Sequence, residues 1–387
     1  MTEAAYDVHA LRAREFPWMD SAREVFLNSA STGPLPRRTV DAVVRFTELR
    51  ATPQRLGDEM LFGTFARSRE LIAALIGAKA SEIALATNTS YGINVAAGAL
   101  PIGRGDVVVI SDGEFPANVY PWLEIVPRRG GVVRRIPMRG GLLDEAALLR
   151  AIEEPRVKVV AVSWVGFATG YRVDLSEIGR RCRERDVYFV VDAIQGLGPL
   201  PLDVRAAQAD VIACGAQKWL LSPWGAGFMY MREELARRLD PPIVSWLGVR
   251  GSDDFRRLID YDLTWREDAR RFEFITLPFQ DFAGLNASLE LFLELGARAI
   301  ERHVASLVDH VVTWAGSRRD VRLVTPAERA RRAGIVSFAP PDSDAACERL
   351  RAAGVAHSLR EGAIRFSIHC FTTRADLDRA IAVVESR

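Results

Sequence analysis

Residues 209–218 read Ala209-Asp210-Val211-Ile212-Ala213-Cys214-Gly215-Ala216-Gln217-Lys218, followed by Trp219-Leu220-Leu221. An apolar run of strand length that closes on a lysine sets an amine at the end of a buried strand. Burial disfavours the charged form, so the pKa of Lys218 is expected to fall. A free amine near neutral pH can form a Schiff base with an aldehyde. The plain alternative is a surface lysine lying along apolar neighbours with its head in water. Lysine usage speaks against that alternative. Only Lys79, Lys158 and Lys218 stand among the 51 Lys+Arg of the 387 residues, so arginine is the ordinary surface cation of this chain.

The pattern around that stretch extends from about residue 60 to 240. Short apolar runs occur at Glu82–Ala86, Val107–Ile110, Val157–Trp164, Val187–Ala193, Val211–Gly215 and Gly227–Met231. Helix-like stretches lie between them, such as Asp144–Glu153 and Asp174–Arg185. In the second, Asp174 precedes Leu175, Ile178 and Cys182 at helical spacing. Continuous apolar strands separated by helices predict an α/β fold with a mostly parallel sheet covered on both faces. Ligands of such sheets bind beyond the carboxyl ends of the strands, which puts Asp192, Lys218 and the Asn88-Thr89-Ser90 turn on one rim. Residues 280–316 carry a long helical pattern. Strand-like runs at Val321–Val324, Ile335–Phe338 and Ile364–Ile368 and a last helix at Arg374–Glu385 follow, reading as a smaller α+β domain. The expected division is a large domain over 20–275 and a small one from 1–19 and 276–387.

Composition narrows the function classes. An apolar fraction of 49%, a charged fraction of 26% and a net charge of +1 describe an ordinary globular protein with no pull toward nucleic acid or an anionic membrane. Arg329-Ala330-Arg331-Arg332 reads as a solvated loop. The start, Met1-Thr2-Glu3-Ala4-Ala5, lacks the basic and apolar segments of a signal peptide. No uninterrupted apolar stretch of about 18 residues predicts a membrane span. Cys182, Cys214, Cys347 and Cys370 form no CxxC pair, so reduced thiols and a cytoplasmic location are expected. The five histidines show no metal-ligand spacing, and no metal is expected.

A cofactor with an aldehyde, a pyridine ring and a phosphate would need more than Lys218. A carboxylate must hold the pyridine nitrogen protonated so that the ring can accept electrons. Asp192 ends the apolar run from Val187, where an unpaired carboxylate would be costly; helix capping is its structural alternative. Thr89 and Ser90 follow a strand and enter a helix, a place where hydroxyls and N–H groups bind phosphate or merely cap. Phe115 could lie over the ring or belong to the core.

In combination these segments resemble the pyridoxal-phosphate enzymes of the class V aminotransferase superfamily, which includes cysteine desulfurases, kynureninases and isopenicillin N epimerase-like proteins. The similarity runs through Phe26–Pro36, Thr89–Asn94, Val191–Gln195, Gly215–Leu220, Arg271–Thr276 and Gly362–His369. It implies fold type I, with a seven-stranded sheet in the large domain, and pyridoxal 5'-phosphate as cofactor. It implies that Lys218 anchors the aldehyde, Asp192 meets the ring nitrogen and Gln195 the ring hydroxyl. Thr89, Ser90 and Gln217 would hold the phosphate, Phe115 would stack on the ring, and Thr276 would reach a neighbouring subunit's phosphate. Arg365 would pair with the substrate carboxylate beside Asn28 and Ala30. A homodimer acting on a small amino acid follows from the same resemblance.

The chain also departs from the family pattern. Phe115 stands where His or Trp is frequent, Ile275 replaces a usual glycine, Trp164 a frequent Asn, and Gly215-Ala216-Gln217 the usual Ser-x-His. The loop that carries a desulfurase's nucleophilic cysteine is missing between Val355 and Arg365. The implied reaction passes through a carbanion at Cα and ends as transamination or Cβ (C–S) elimination. Epimerisation, another biosynthetic reaction of the superfamily, or cofactor binding without catalysis are the alternatives. Trp122, Trp224 and Trp246 fit an interface, a pocket or the core equally.

Overall fold

The computed structural model describes residues 5–21, 24–274 and 276–386. Ile275 and the first four residues therefore lie outside the described part. A seven-stranded sheet forms the centre, in the order Ile83–Ala86, Gly227–Met231, Val211–Gly215, Tyr188–Asp192, Val157–Ser163, Val107–Ser111, Val132–Ile136. Gly227–Met231 runs antiparallel to both its neighbours, and the other pairs are parallel. Every residue of Val107–Ser111, Val211–Gly215 and Gly227–Met231 is buried, which is why these strands read as unbroken apolar runs.

Val132–Ile136 is a strand that the apolar pattern does not announce. It lies at the sheet edge, only Ile136 is buried, and Arg134 and Arg135 are in ion pairs with Glu154 and Asp112. An edge strand that is wet on one side can carry such charges.

A second, four-stranded antiparallel sheet follows the order Arg322–Leu323, Ile335–Ala339, Ala363–Ser367, Ser358–Arg360. The short strand Ser358–Arg360 was not expected. The 280–316 pattern resolves into two helices, Phe279–Leu295 and Ala297–Ser317, parted by Gly296 at φ 81°. A residue with a side chain would be strained there, so the break is built into the backbone.

The two sheets share a contiguous hydrophobic cluster. Near the amino end, Val25–Phe26 pairs with Val355–Ala356, and Asn28 bridges to Ser367. That pairing carries Asn28, Ala30 and Ser31 to the edge of the second sheet, facing the strand ends of the first. Trp122 and Trp164 are core residues, whereas Trp224 and Trp246 are exposed. Among the described residues no helix is long and apolar enough to cross a membrane.

Candidate active site

The strands Tyr188–Asp192 and Val157–Ser163 end on Asp192 and Ser163, which pair in register. Lys218 follows the end of Val211–Gly215 by three residues. The helix Thr89–Ala99 starts beside it, because the Thr89 hydroxyl accepts the Gly215 N–H at 2.9 Å. A β-carbon on Gly215 would meet Gln217 and Ile194, so glycine keeps this corner open.

Asn88 caps the helix by taking the Tyr91 N–H at 3.0 Å. The N–H groups of Thr89 and Ser90 have no acceptor among the described residues. Thr89 is buried and Ser90 exposed. Free N–H groups at a helix start favour an anion. The half-buried Gln217 amide likewise has no hydrogen-bond partner among the described residues.

Asp192 is 2% exposed. One carboxyl oxygen accepts the Ile194 N–H at 3.0 Å. The other receives no hydrogen bond from a described residue. Burial pushes the Asp192 carboxyl up to about 6, against the pull of the Ile194 N–H and the Lys218 charge. Burial lowers the pKa of Lys218; Asp192 opposes that shift, and the charges of Arg365 and Arg360 add to it. The Lys218 Nζ stands 5.4 Å from the centre of the Phe115 ring. Phe115 is partly exposed and meets Phe167 edge-on, with ring centres 5.4 Å apart.

Gln195 is engaged at both ends of its amide. It donates to the Ala30 carbonyl at 3.1 Å and accepts from the Trp219 indole at 2.7 Å. One N–H remains for any further partner.

Arg365 is a guanidinium 2% exposed that forms no ion pair among the described residues. It donates to the Phe167 carbonyl at 2.7 Å and to the Ser31 hydroxyl at 2.9 Å, while its Nε finds no partner. Burial brings its pKa down to about 10, and Arg360 adds to the fall. The hydroxyls of Ser31 and Ser358 both donate to the Asn28 side-chain oxygen, at 2.9 and 2.5 Å. Asn28 thereby turns their lone pairs toward Arg365, and Ala30 contributes its carbonyl to Gln195. Thr276 is exposed and makes no hydrogen bond to this cluster.

Sequence reasoning missed Glu114, Ser163, Phe167, Ser31 and Ser358. Glu114 receives the Ser163 N–H at 2.8 Å, the Ser163 hydroxyl and the Asn118 amide at 3.1 Å. Burial pushes its carboxyl up to about 7 despite these bonds. An acid between Gly113 and Phe115, just past a fully buried strand, was the available signal. The Arg365 acceptors left none, since a carbonyl and two hydroxyls from distant segments have no motif.

The donor set fits the pyridoxal phosphate that the resemblance implies. It offers an amine of lowered pKa, a buried carboxyl with one free oxygen, and free N–H groups at a helix start beside a glycine corner that a side chain would fill.

The profile of the family described as "Aminotransferase class-V" matches residues 25–380. A probable cysteine desulfurase of Methanothermobacter thermautotrophicus is 32% identical over 293 residues, 74% of this chain and 71% of that protein. The isopenicillin N epimerase of Streptomyces clavuligerus is 30% identical over 370 residues, 92% of each chain. Among solved structures, a lysine-to-alanine variant of C-DES, with glycine covalently linked to its PLP cofactor, superposes with a TM-score of 0.87 at 23% identity, covering 97% of this chain and 99% of that one. That likeness shows the fold: fold type I of the PLP-dependent transferases, an α/β fold with a large, mostly parallel sheet and a smaller α+β part.

Proposed function

The chain belongs to the class V aminotransferase family, and on that premise we propose a pyridoxal-phosphate-dependent enzyme that acts on an α-amino acid or a related amine. The observation that carries the reading is Arg365, a buried guanidinium with no carboxylate partner among the described residues, whose charge acts on Lys218. Leaving such a charge unpaired is costly unless a ligand completes it. A substrate α-carboxylate offers two oxygens to its unpaired Nε and its outer nitrogens.

In this reading Lys218 anchors the cofactor aldehyde, and Asp192 accepts a hydrogen bond from the ring nitrogen through its free oxygen. The N–H groups of Thr89 and Ser90 and the Gln217 amide hold the phosphate. The remaining N–H of Gln195 reaches the ring hydroxyl, and Phe115 covers the ring face. When bound, pyridoxal phosphate supplies the electron sink that lets a group leave the substrate Cα. Arg365 fixes the carboxylate, and with it the direction of the bonds at Cα. The Lys218 amine, whose pKa burial lowers, would take the proton from Cα and return it. Phe115 moves no proton, so Lys218 is the base of this arrangement.

Four buried cysteines bear on the outcome. Burial pushes the thiols of Cys182, Cys214 and Cys370 far up, and that of Cys347 up as well. None offers an exposed thiolate to carry sulfur, which favours transamination or direct Cβ elimination over persulfide transfer. The epimerase relative, matched over nearly its whole length, keeps epimerisation as the second reading.

The division at residues 20–275 against 1–19 and 276–387 belongs to the same proposal, as does a cytoplasmic location, in keeping with four free thiols. So does a homodimer, in which Thr276 meets the other subunit's phosphate. Its support is the apolar exposure of Trp224, Ile259, Tyr261 and Leu263.

The test is the visible spectrum of the purified protein before and after a panel of amino acids. A cofactor band that is absent in Lys218→Ala supports the anchor. Lasting bleaching with an oxo acid released indicates an aminotransferase. A restored band with pyruvate or sulfide released indicates a lyase. No cofactor band after added pyridoxal phosphate overturns the reading.

A further inference from the structure

A cavity of about 500 Å³ adjoins this site, and none of the roles above uses it. Glu114, Ser163 and Phe167 line it and connect it to the reacting centre. Ser163 pairs with Asp192, and Phe167 meets Phe115 through its ring and Arg365 through its carbonyl. On the far side stand Arg360 and the turn Glu361-Gly362, both residues left-handed at φ 47° and 75°. This turn joins Ser358–Arg360 directly to Ala363–Ser367, so no longer loop covers the opening.

Size and charge both indicate what the cavity takes. Pockets of roughly 300–1,000 Å³ enclose ligands far larger than the side chain of alanine or cysteine. Of the acids on its wall, Asp112 is paired with Arg135, and the Glu114 carboxyl is held by Ser163 and Asn118. Glu361 is exposed at the turn. Two cations, Arg360 and Arg322, line the cavity without an ion pair among the described residues. Among the described residues Arg360 donates only to its neighbour's carbonyl, that of Leu359, at 2.8 Å. Ser358 lies opposite Arg365 and Arg360 opposite Ala363 in the pairing of these strands, so the side chains of Arg360 and Arg365 leave the same face of the sheet.

We propose that this cavity receives the substrate's side chain, and that the substrate is an amino acid whose side chain is long enough to carry a second anionic group from Cα to Arg360. Arg365 would hold the α-carboxylate and Arg360 the distal one, with Lys218 facing Cα between them. The inference rests on the function proposed above and narrows its substrate class.

The experiment uses the cofactor-loaded protein and two kinds of probe. Calorimetric titration with glutarate and adipate, which lack the amine and cannot react, is compared with butyrate. The better dicarboxylate is expected to bind at least tenfold more tightly. Arg360→Gln should bring that ratio close to one, and Arg360→Lys should restore part of it. The spectral response to L-glutamate and L-2-aminoadipate is then compared with that to L-alanine, with kcat/KM higher for the dicarboxylic pair. Equal affinity for mono- and dicarboxylates, or a ratio untouched by Arg360→Gln, overturns the subsite. A spectrum that responds equally to alanine and glutamate overturns the subsite but leaves the proposed function standing. A spectrum that responds to no amine removes both.

Discussion

Asp192 and Asp210 flank neighbouring strands of the same sheet at opposite ends, and both are buried, at 2% and 3% exposure. Their surroundings differ completely. Asp210 accepts the Phe189 N–H at 2.9 Å and the Arg232 guanidinium at 2.9 Å, with Arg183 at 3.5 Å. Asp192 has one backbone N–H and no arginine partner among the described residues, and its carboxyl is raised to about 6. The amino-terminal end of the sheet is closed electrostatically, and the carboxyl end is left open. The unmet needs of Asp192, Lys218 and Arg365 lie at the end where ligands of such sheets bind. A fold of this size can carry a few kcal/mol of local cost where chemistry requires it, provided other regions are fully satisfied.

Substitutions at four positions would break or sharpen that contrast. The largest effect is expected from Lys218→Ala, which removes both anchor and base. Turnover measured with any active amino acid should fall by about 10³-fold or more, while thermal stability should hold. Next is Asp210→Ala, which leaves Arg232 beside a buried gap. Denaturant unfolding should show a loss of about 3–5 kcal/mol, with KM unchanged in the protein that remains folded. If Asp210→Ala cost nothing, the two ends would not differ in kind.

Arg365→Met should lower kcat/KM by roughly 100-fold, since it removes a charge-assisted pair. Arg365→Lys should recover little, because an ammonium cannot offer the same planar fork.

The smallest effect concerns stability and pH. Asp192 has a folded pKa near 6, above its ordinary value near 4. The folded state therefore holds this proton more tightly than the unfolded one. Its destabilising effect is absent below about pH 4, grows as pH rises toward 6, and is complete above it. In the cofactor-free protein, Asp192→Asn should be more stable than the wild type by roughly 2–3 kcal/mol at pH 7 and equal to it near pH 4. Denaturant titrations at the two pH values check this. The same substitution should depress activity of the loaded enzyme.

The legible parts of this molecule are those where burial forces an unusual choice. Strands such as Val211–Gly215 are buried on both faces, so their apolar runs survive in the sequence, and Lys218 and Asp192 stand out against them. Val132–Ile136 was not legible because an edge strand need not be apolar, and its arginines look like loop charges. The same reason hid Ser358–Arg360. Within the site, Arg365 could be singled out, but its acceptors are the Phe167 carbonyl and two serines set by Asn28, groups that any sequence contains. Gln195 was expected as a ligand of the cofactor ring. The structure adds that Ala30 and Trp219 already hold its amide, so it is as much a strut as a ligand. The Glu114–Ser163 pair went unseen because a single acid between a strand and a loop is usually a solvated one.

The scarcity of lysine has a consequence for the bench chemist. Acylating reagents attack uncharged amines. Lys79 is exposed but bound to Glu233, which raises its pKa, whereas burial lowers that of Lys218. Mild acylation of cofactor-free protein near neutral pH should therefore modify Lys218 before Lys79, despite the greater exposure of Lys79. The mass of one peptide would then report whether the pocket is open or filled, so this chain carries its own occupancy label.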